Sequence, residues 1–79
     1  MTEIEVYTTP SCPYCTKLKN WLDDEDIDYE EFDLSQNQEK ARELIQKTGQ
    51  RGVPQTLIKS EEEEKAVIGF QPEKIEAEI

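Results

Sequence analysis

The 79 residues contain no histidine and only two cysteines. A structural zinc site usually takes four Cys or His ligands, so this chain supplies at most half of one. Two cysteines also cannot build the disulfide framework of a small secreted domain. No run approaches the roughly 20 consecutive apolar residues that a membrane-spanning helix needs. The start, Met1-Thr2-Glu3-Ile4, has no basic segment followed by an apolar one. No signal peptide is therefore expected, and a soluble, cytoplasmic, monomeric protein is the resulting reading. Basic residues are scarce too. Nine Lys and Arg stand against nineteen Asp and Glu, a formal charge of −10. Nucleic-acid binding rests on neutralising phosphates with cations, and anionic membrane surfaces likewise attract cations. Neither partner is expected, and the acidity reads as a device for solubility. With 34% hydrophobic residues and a short chain, about 60% of the unfolded surface is buried at best. One compact domain over residues 1–79 follows, with no linker or internal repeat.

What the chain does contain is concentrated in Thr9-Pro10-Ser11-Cys12-Pro13-Tyr14-Cys15. Both cysteines lie here, three residues apart. The strand-like Ile4-Glu5-Val6-Tyr7 leads in, and a helix-like run from Thr16 to Asp24 leads out. This arrangement sets the first sulfur at a helix N-terminus, where unsatisfied N–H groups and the helix dipole favour negative charge. The thiolate is the reactive form of cysteine, and such positions lower thiol pKa values. Sulfurs at i and i+3 can also close a disulfide. The stretch reads as a redox device. Lys17 and Lys19 either add positive potential near Cys12 or are solvated helix lysines.

The remaining chain supplies a frame. Glu3–Thr8 reads as a strand, with Ile4 and Val6 alternating against acids. Pro13 suits a first helical turn, and Leu18, Trp21 and Leu22 make one apolar stripe, with Trp21 assigned to the core. The acids Asp23–Asp26 oppose the dipole at a helix end and read as a solvated turn. Residues 27–34 read as a second strand with Phe32 and Leu34 on one face. Ser35 and Gln38 have capping-box spacing before the stripe of Ala41, Leu44 and Ile45, which Gly49 ends. Glu43 and Lys47 are spaced for an i,i+4 pair. A loop over residues 50–54 precedes a strand at 55–59. The acidic turn Ser60–Glu64 lacks Asn and Gly, so it should be longer than two residues and mobile. A fourth strand at 65–68 ends at Gly69, and Pro72 opens a short last helix carrying Ile75 and Ile79. The order is βαβα, with two parallel strands joined by a right-handed crossover, followed by an antiparallel hairpin and a helix.

This order, with Cys12-Pro13-Tyr14-Cys15 after the first strand and Val53-Pro54 before the third, resembles the glutaredoxins. The resemblance extends through Thr48-Gly49-Gln50-Arg51-Gly52-Val53-Pro54 and Val67-Ile68-Gly69-Phe70, and covers essentially the whole chain. It implies an α/β thioredoxin fold, βαβαββα, with a four-stranded mixed sheet in order 2-1-3-4 and helices on both faces. It makes Cys12 the nucleophile and Cys15 the resolving thiol. It makes Pro54 a cis-proline beside the disulfide, with the Val53 backbone holding a bound substrate. Tyr14, Arg51, Gly69 and Phe70 join the expected substrate contacts. Phe70 serves equally well as the dock of the last helix.

The expected activity is dithiol–disulfide exchange with disulfide-containing proteins, ribonucleotide reductase or a similar enzyme among them, and no metal or organic cofactor. Glutathione-dependent members often carry Lys three residues before the first Cys and Gly-Gly-x-Asp-Asp after the fourth strand. Thr9 and Gly69-Phe70-Gln71-Pro72-Glu73 stand there instead. The sequence thus resembles the redoxins served by thioredoxin reductase, with glutathione as the other candidate reductant. The alternative reading is an iron–sulfur or zinc module sharing the CxxC across a dimer. Cluster-binding glutaredoxins usually have Cys-Gly-Phe-Ser or lack the Pro after the first Cys, and Pro13 makes this the lesser reading.

Overall fold

The alternation of Ile4 and Val6 with Glu5 and Tyr7 gives one strand, β1 (Glu3–Thr8), two different faces, and both are covered. The computed structural model describes residues 2–79. After β1 come α1 (Pro13–Asp24), β2 (Glu30–Asp33), α2 (Gln38–Thr48), β3 (Gln55–Lys59), β4 (Glu64–Ile68) and α3 (Pro72–Glu76). The strands form one sheet in order β2-β1-β3-β4, the order of the thioredoxin fold. β1 runs parallel to β2, with Tyr7 opposite Phe32, and antiparallel to β3, with Val6 opposite Thr56. β3 and β4 form the hairpin, with Thr56 opposite Val67.

One face of the sheet carries Ile4, Val6, Ile58 and Val67, which pack with Leu18 and Leu22 of α1 and Ile75 of α3. Trp21, Ile27, Tyr29 and Phe70 close the edge of that cluster. The other face carries Tyr7 and Leu57 against Leu44 of α2, with Phe32 and Leu34 beside them. Each fully buried Leu contributes about 1.5–3 kcal/mol relative to exposure. α3 has five residues, too few to stand alone, and the complete burial of Ile75 fixes it. Glu5 faces α2 as well. Its carboxylate is buried but accepts a 2.9 Å hydrogen bond from the Tyr7 hydroxyl and lies 3.1 Å from Lys59 Nζ.

Several local expectations are corrected. β2 covers only Glu30–Asp33, because Ile27 is used to end α1: its N–H donates to Leu22 O at 2.9 Å. Asp26 stands in the left-handed region at φ 55°, so the acidic run closes the helix in the manner of a Schellman motif. The cap of α2 is Asn37, whose Oδ1 accepts the Lys40 N–H at 3.1 Å, while Ser35 is held by Asp33 Oδ1. The capping-box spacing at Ser35 lay two residues too early. Glu43 pairs with Lys40 at 3.3 Å, leaving Lys47 to cross to Glu64 at 3.4 Å on the neighbouring strand. The acidic hairpin loop spans residues 60–63 and β4 starts at Glu64. The loop is longer than two residues, as expected, and the Ser60 N–H donates to Glu63 O at 2.8 Å across it. Gly49 ends α2 at φ 72°, as expected.

Candidate active site

α1 begins on a sulfur. Cys12 has extended backbone (φ −103°, ψ 106°) and occupies the N-cap, a position where Ser, Thr, Asp or Asn usually satisfies a free N–H. Here Cys12 Sγ accepts the Cys15 N–H at 3.1 Å. Pro13 follows in the first turn, where its missing N–H costs nothing. Cys15 sits one turn in and is 1% exposed, whereas Cys12 is half-buried. Both are free thiols. Burial, together with the neighbouring Cys12 sulfur, pushes the Cys15 thiol up to about 12; the Thr9 backbone amide and the Lys19 cation oppose that shift. The dithiol therefore has an accessible member and a sequestered one.

The chain returns to this sulfur 41 residues later: Cys12 Sγ lies 3.7 Å from Val53 O. The Val53–Pro54 peptide is cis, as the resemblance implied, and Pro54 is buried. Two contacts place this loop. Gln55 Nε2, fully buried, donates to Gln50 O at 3.0 Å and to Gly52 O at 2.8 Å. Gly69, at φ 87°, donates its N–H to Pro54 O at 2.8 Å. A left-handed φ of this kind favours glycine.

Cys12, Cys15, Val53 and Pro54 thus meet, and Gly69 reaches them through the Pro54 carbonyl. Tyr14 is 57% exposed, with Lys17 Nζ 5.2 Å from its ring centroid. Lys19 is drawn to Glu31, at 2.9 Å. Arg51 is exposed and lies on a groove of about 340 Å³ together with Thr9 and Val53. Phe70 packs half-buried on the core of the α1 face, and its remainder lines a separate groove of about 380 Å³ with Gln71 and Pro72.

Sequence reasoning missed three features. Leu34, Ser35, Ala41, Leu44 and Ile45 complete the wall of the groove beside Val53, and Ile45 stays 36% exposed although it belongs to the apolar stripe of α2. Gln55 gave one signal, a polar residue opening an apolar strand directly after Pro54. The cluster of Thr8, Glu31 and Lys19 gave none, because its members are scattered over β1, β2 and α1.

The sequence model of the Glutaredoxin family matches residues 4–62. Glutaredoxin 3 of Escherichia coli is 34% identical over 58 residues, which cover 73% of this chain and 70% of that protein. Among solved structures, the thioredoxin-like protein BC3987 aligns with a TM-score of 0.84 at 34% identity, covering 98% of this chain and 100% of that one. The glutaredoxin-like protein NrdH-redoxin from Escherichia coli aligns with a TM-score of 0.74 at 24% identity, covering 95% of this chain and 92% of that one, a likeness of fold. The matched residues run through β1, the dithiol turn and the Val53-Pro54 loop alike, so the chain belongs to the glutaredoxin family and is a thiol–disulfide oxidoreductase.

Proposed function

We propose that this protein reduces protein disulfides, with Cys12 as the attacking thiol and Cys15 as the resolving thiol. The Cys12 thiolate attacks one sulfur of the substrate disulfide, forming a mixed disulfide and releasing the other substrate sulfur as a thiolate. Cys15 then loses its proton and attacks Cys12 Sγ. The Cys12–Cys15 disulfide forms and the second substrate sulfur leaves as a thiolate that takes up a proton. The observation that carries this reading is the unequal depth of the two sulfurs: half-buried Cys12 receives an N–H on its sulfur, while Cys15 is sequestered behind it. The Val53 backbone beside Cys12 suits an extended substrate segment.

The oxidised dithiol is returned to the reduced state by a flavoprotein of the thioredoxin-reductase type in preference to glutathione. Three observations support this. Thr9, where a glutathione-dependent member often has Lys, is neutral, and Arg51 is the one cation lining the groove beside Val53. Phe70-Gln71-Pro72 stands where acids would receive the γ-glutamyl end, and Phe70 packs inward. The charge of −10 repels an anionic tripeptide at low ionic strength. Ribonucleotide reductase or an enzyme of similar disulfide chemistry is the recipient we favour, reached by a cytoplasmic monomer of one domain.

The test follows NADPH oxidation with a small disulfide as acceptor. One arm supplies thioredoxin reductase and the other glutathione with its reductase. Faster turnover in the first arm is expected, and faster turnover in the second overturns the assignment of the reductant. In parallel, Cys15→Ser should accumulate mixed disulfides with a protein substrate and Cys12→Ser should not; the reverse pattern overturns the roles of the sulfurs.

A further inference from the structure

The second half-reaction poses a problem that the dithiol alone does not solve. Cys15 must lose a proton to attack, yet burial holds its thiol well above the ordinary range. The charge that develops on it needs a partner. On α1, Lys19 stands four residues on and hence one turn above Cys15 on the same side of the helix. It is not a free surface lysine. Its Nζ is held by Glu31 Oε2 of β2 at 2.9 Å, and the same oxygen accepts the hydroxyl of Thr8 at 2.8 Å. Thr8 is buried at the end of β1, next to Thr9, whose backbone amide favours the Cys15 thiolate. Three elements thus converge to fix one partly exposed cation a helical turn from Cys15. The groups facing Cys15 are Cys12 and Lys19 from α1, the Thr9 amide from the end of β1, and, through Lys19, Glu31 and Tyr29 from the β2 side.

We propose that Lys19 is a positioning residue of the resolving step: held by Glu31, which Thr8 fixes in turn, its ammonium stabilises the negative charge that develops on Cys15 as Cys15 attacks Cys12. Glu31 then has two opposed effects. It fixes where Lys19 points, and its own charge offsets part of the potential that Lys19 supplies. The inference rests on the assignment of Cys15 as the resolving thiol. It also assigns Lys19 to the second sulfur, not to Cys12.

The opposed effects give the test its sign. Dithiodipyridine, an uncharged disulfide, reports both steps by stopped-flow absorbance. Cys12 attacks it and releases one thiopyridone, and Cys15 then attacks Cys12 Sγ and releases the second. Lys19→Met keeps the length of the side chain and removes its charge. The second phase is expected to slow about threefold to fivefold, the scale of one partly solvated charge, and its rise with pH to move to higher pH. The first phase should change less than twofold. Glu31→Gln keeps an oxygen for Thr8 and Lys19 but removes the opposing charge, so the second phase should quicken. Lys19→Arg should restore the wild-type second phase. If Lys19→Met and Glu31→Gln both slow the second phase, the cluster acts as scaffold only and the proposal fails. It fails equally if Lys19→Met leaves the second phase unchanged or slows both phases alike. Cys15→Ser separates the underlying assignment: persistence of the second release in that variant overturns the role of Cys15, not that of Lys19.

Discussion

Replacing Asp26 with glycine should stabilise the protein, although no contact is gained. Asp26 is the one non-glycine residue with positive φ among the described residues, at 55°. It holds the position after α1 at which the chain reverses: its N–H donates to Asp23 O at 3.2 Å, and the next N–H, of Ile27, donates to Leu22 O. The left-handed conformation costs a residue with a Cβ about 1–2 kcal/mol, with Asp toward the lower end because its short polar side chain tolerates it. Removing a carboxylate from the C-terminal end of a helix contributes about 0.3–0.5 kcal/mol more. Against this, glycine gives the unfolded chain extra freedom worth roughly 0.5–1 kcal/mol. The net gain is about 0.5 kcal/mol, or roughly 2–4 °C in Tm for a domain of this size. Asp26→Ala makes the comparison decisive. It loses the same charge, but it keeps the Cβ and lacks the polar side chain, so it should fall below wild type. A separation of about 1–1.5 kcal/mol between the glycine and alanine variants is expected from urea denaturation followed by circular dichroism. Equal stability of the two would refute the argument, because it would mean that the left-handed conformation is not required there.

Two further outcomes follow from side chains buried around the sheet. For Glu5, burial raises the carboxyl pKa, but the hydrogen bonds from Lys59 and Tyr7 outweigh it and hold the group below its usual value. A depressed carboxyl stabilises the fold above the unfolded pKa of about 4.3, and that contribution fades as pH falls through the folded value. Glu5→Gln should therefore cost about 1 kcal/mol near neutrality, the difference between charged and neutral hydrogen bonds, and nothing once wild-type Glu5 is protonated; a constant deficit across an acid titration of stability would contradict this. For Gln55, Gln55→Leu removes both hydrogen bonds to the loop carbonyls but also removes a buried Oε1 that has no partner among the described residues. Stability should change by less than about 1 kcal/mol, because the two effects oppose each other, while KM for a protein disulfide rises severalfold as Val53 loses its support. A large loss of stability with KM unchanged would show that Gln55 serves the core and not the site.

The sequence by itself determined the parts whose signals are local. The alternation in residues 3–8, the stripe of Leu18, Trp21 and Leu22, Pro13 in a first turn and Gly49 beyond a last one each act within a few residues. The i,i+3 spacing of Cys12 and Cys15 is equally local, and so is the placing of a sulfur at a helix start. The 2-1-3-4 order also came early, because the resemblance to glutaredoxins carried it where periodicity could supply only βαβα and ββα. Local rules failed where two signals competed within a few residues. Ile27 looked like a strand residue but closes α1, Ser35 has cap spacing but Asn37 is the cap, and Lys47 prefers Glu64 on the hairpin to Glu43 on its own helix. Tertiary structure alone decided how deep each sulfur lies, since burial of Cys15 depends on the sheet beneath α1. It also decided that Gln55 and Gly69 hold the Val53-Pro54 loop against Cys12, and that Thr8, Glu31 and Lys19 meet beside the start of α1. Those groups come from different elements, and their charges and hydrogen bonds act through space over a few ångströms, so their meeting is fixed by packing and not by spacing along the chain.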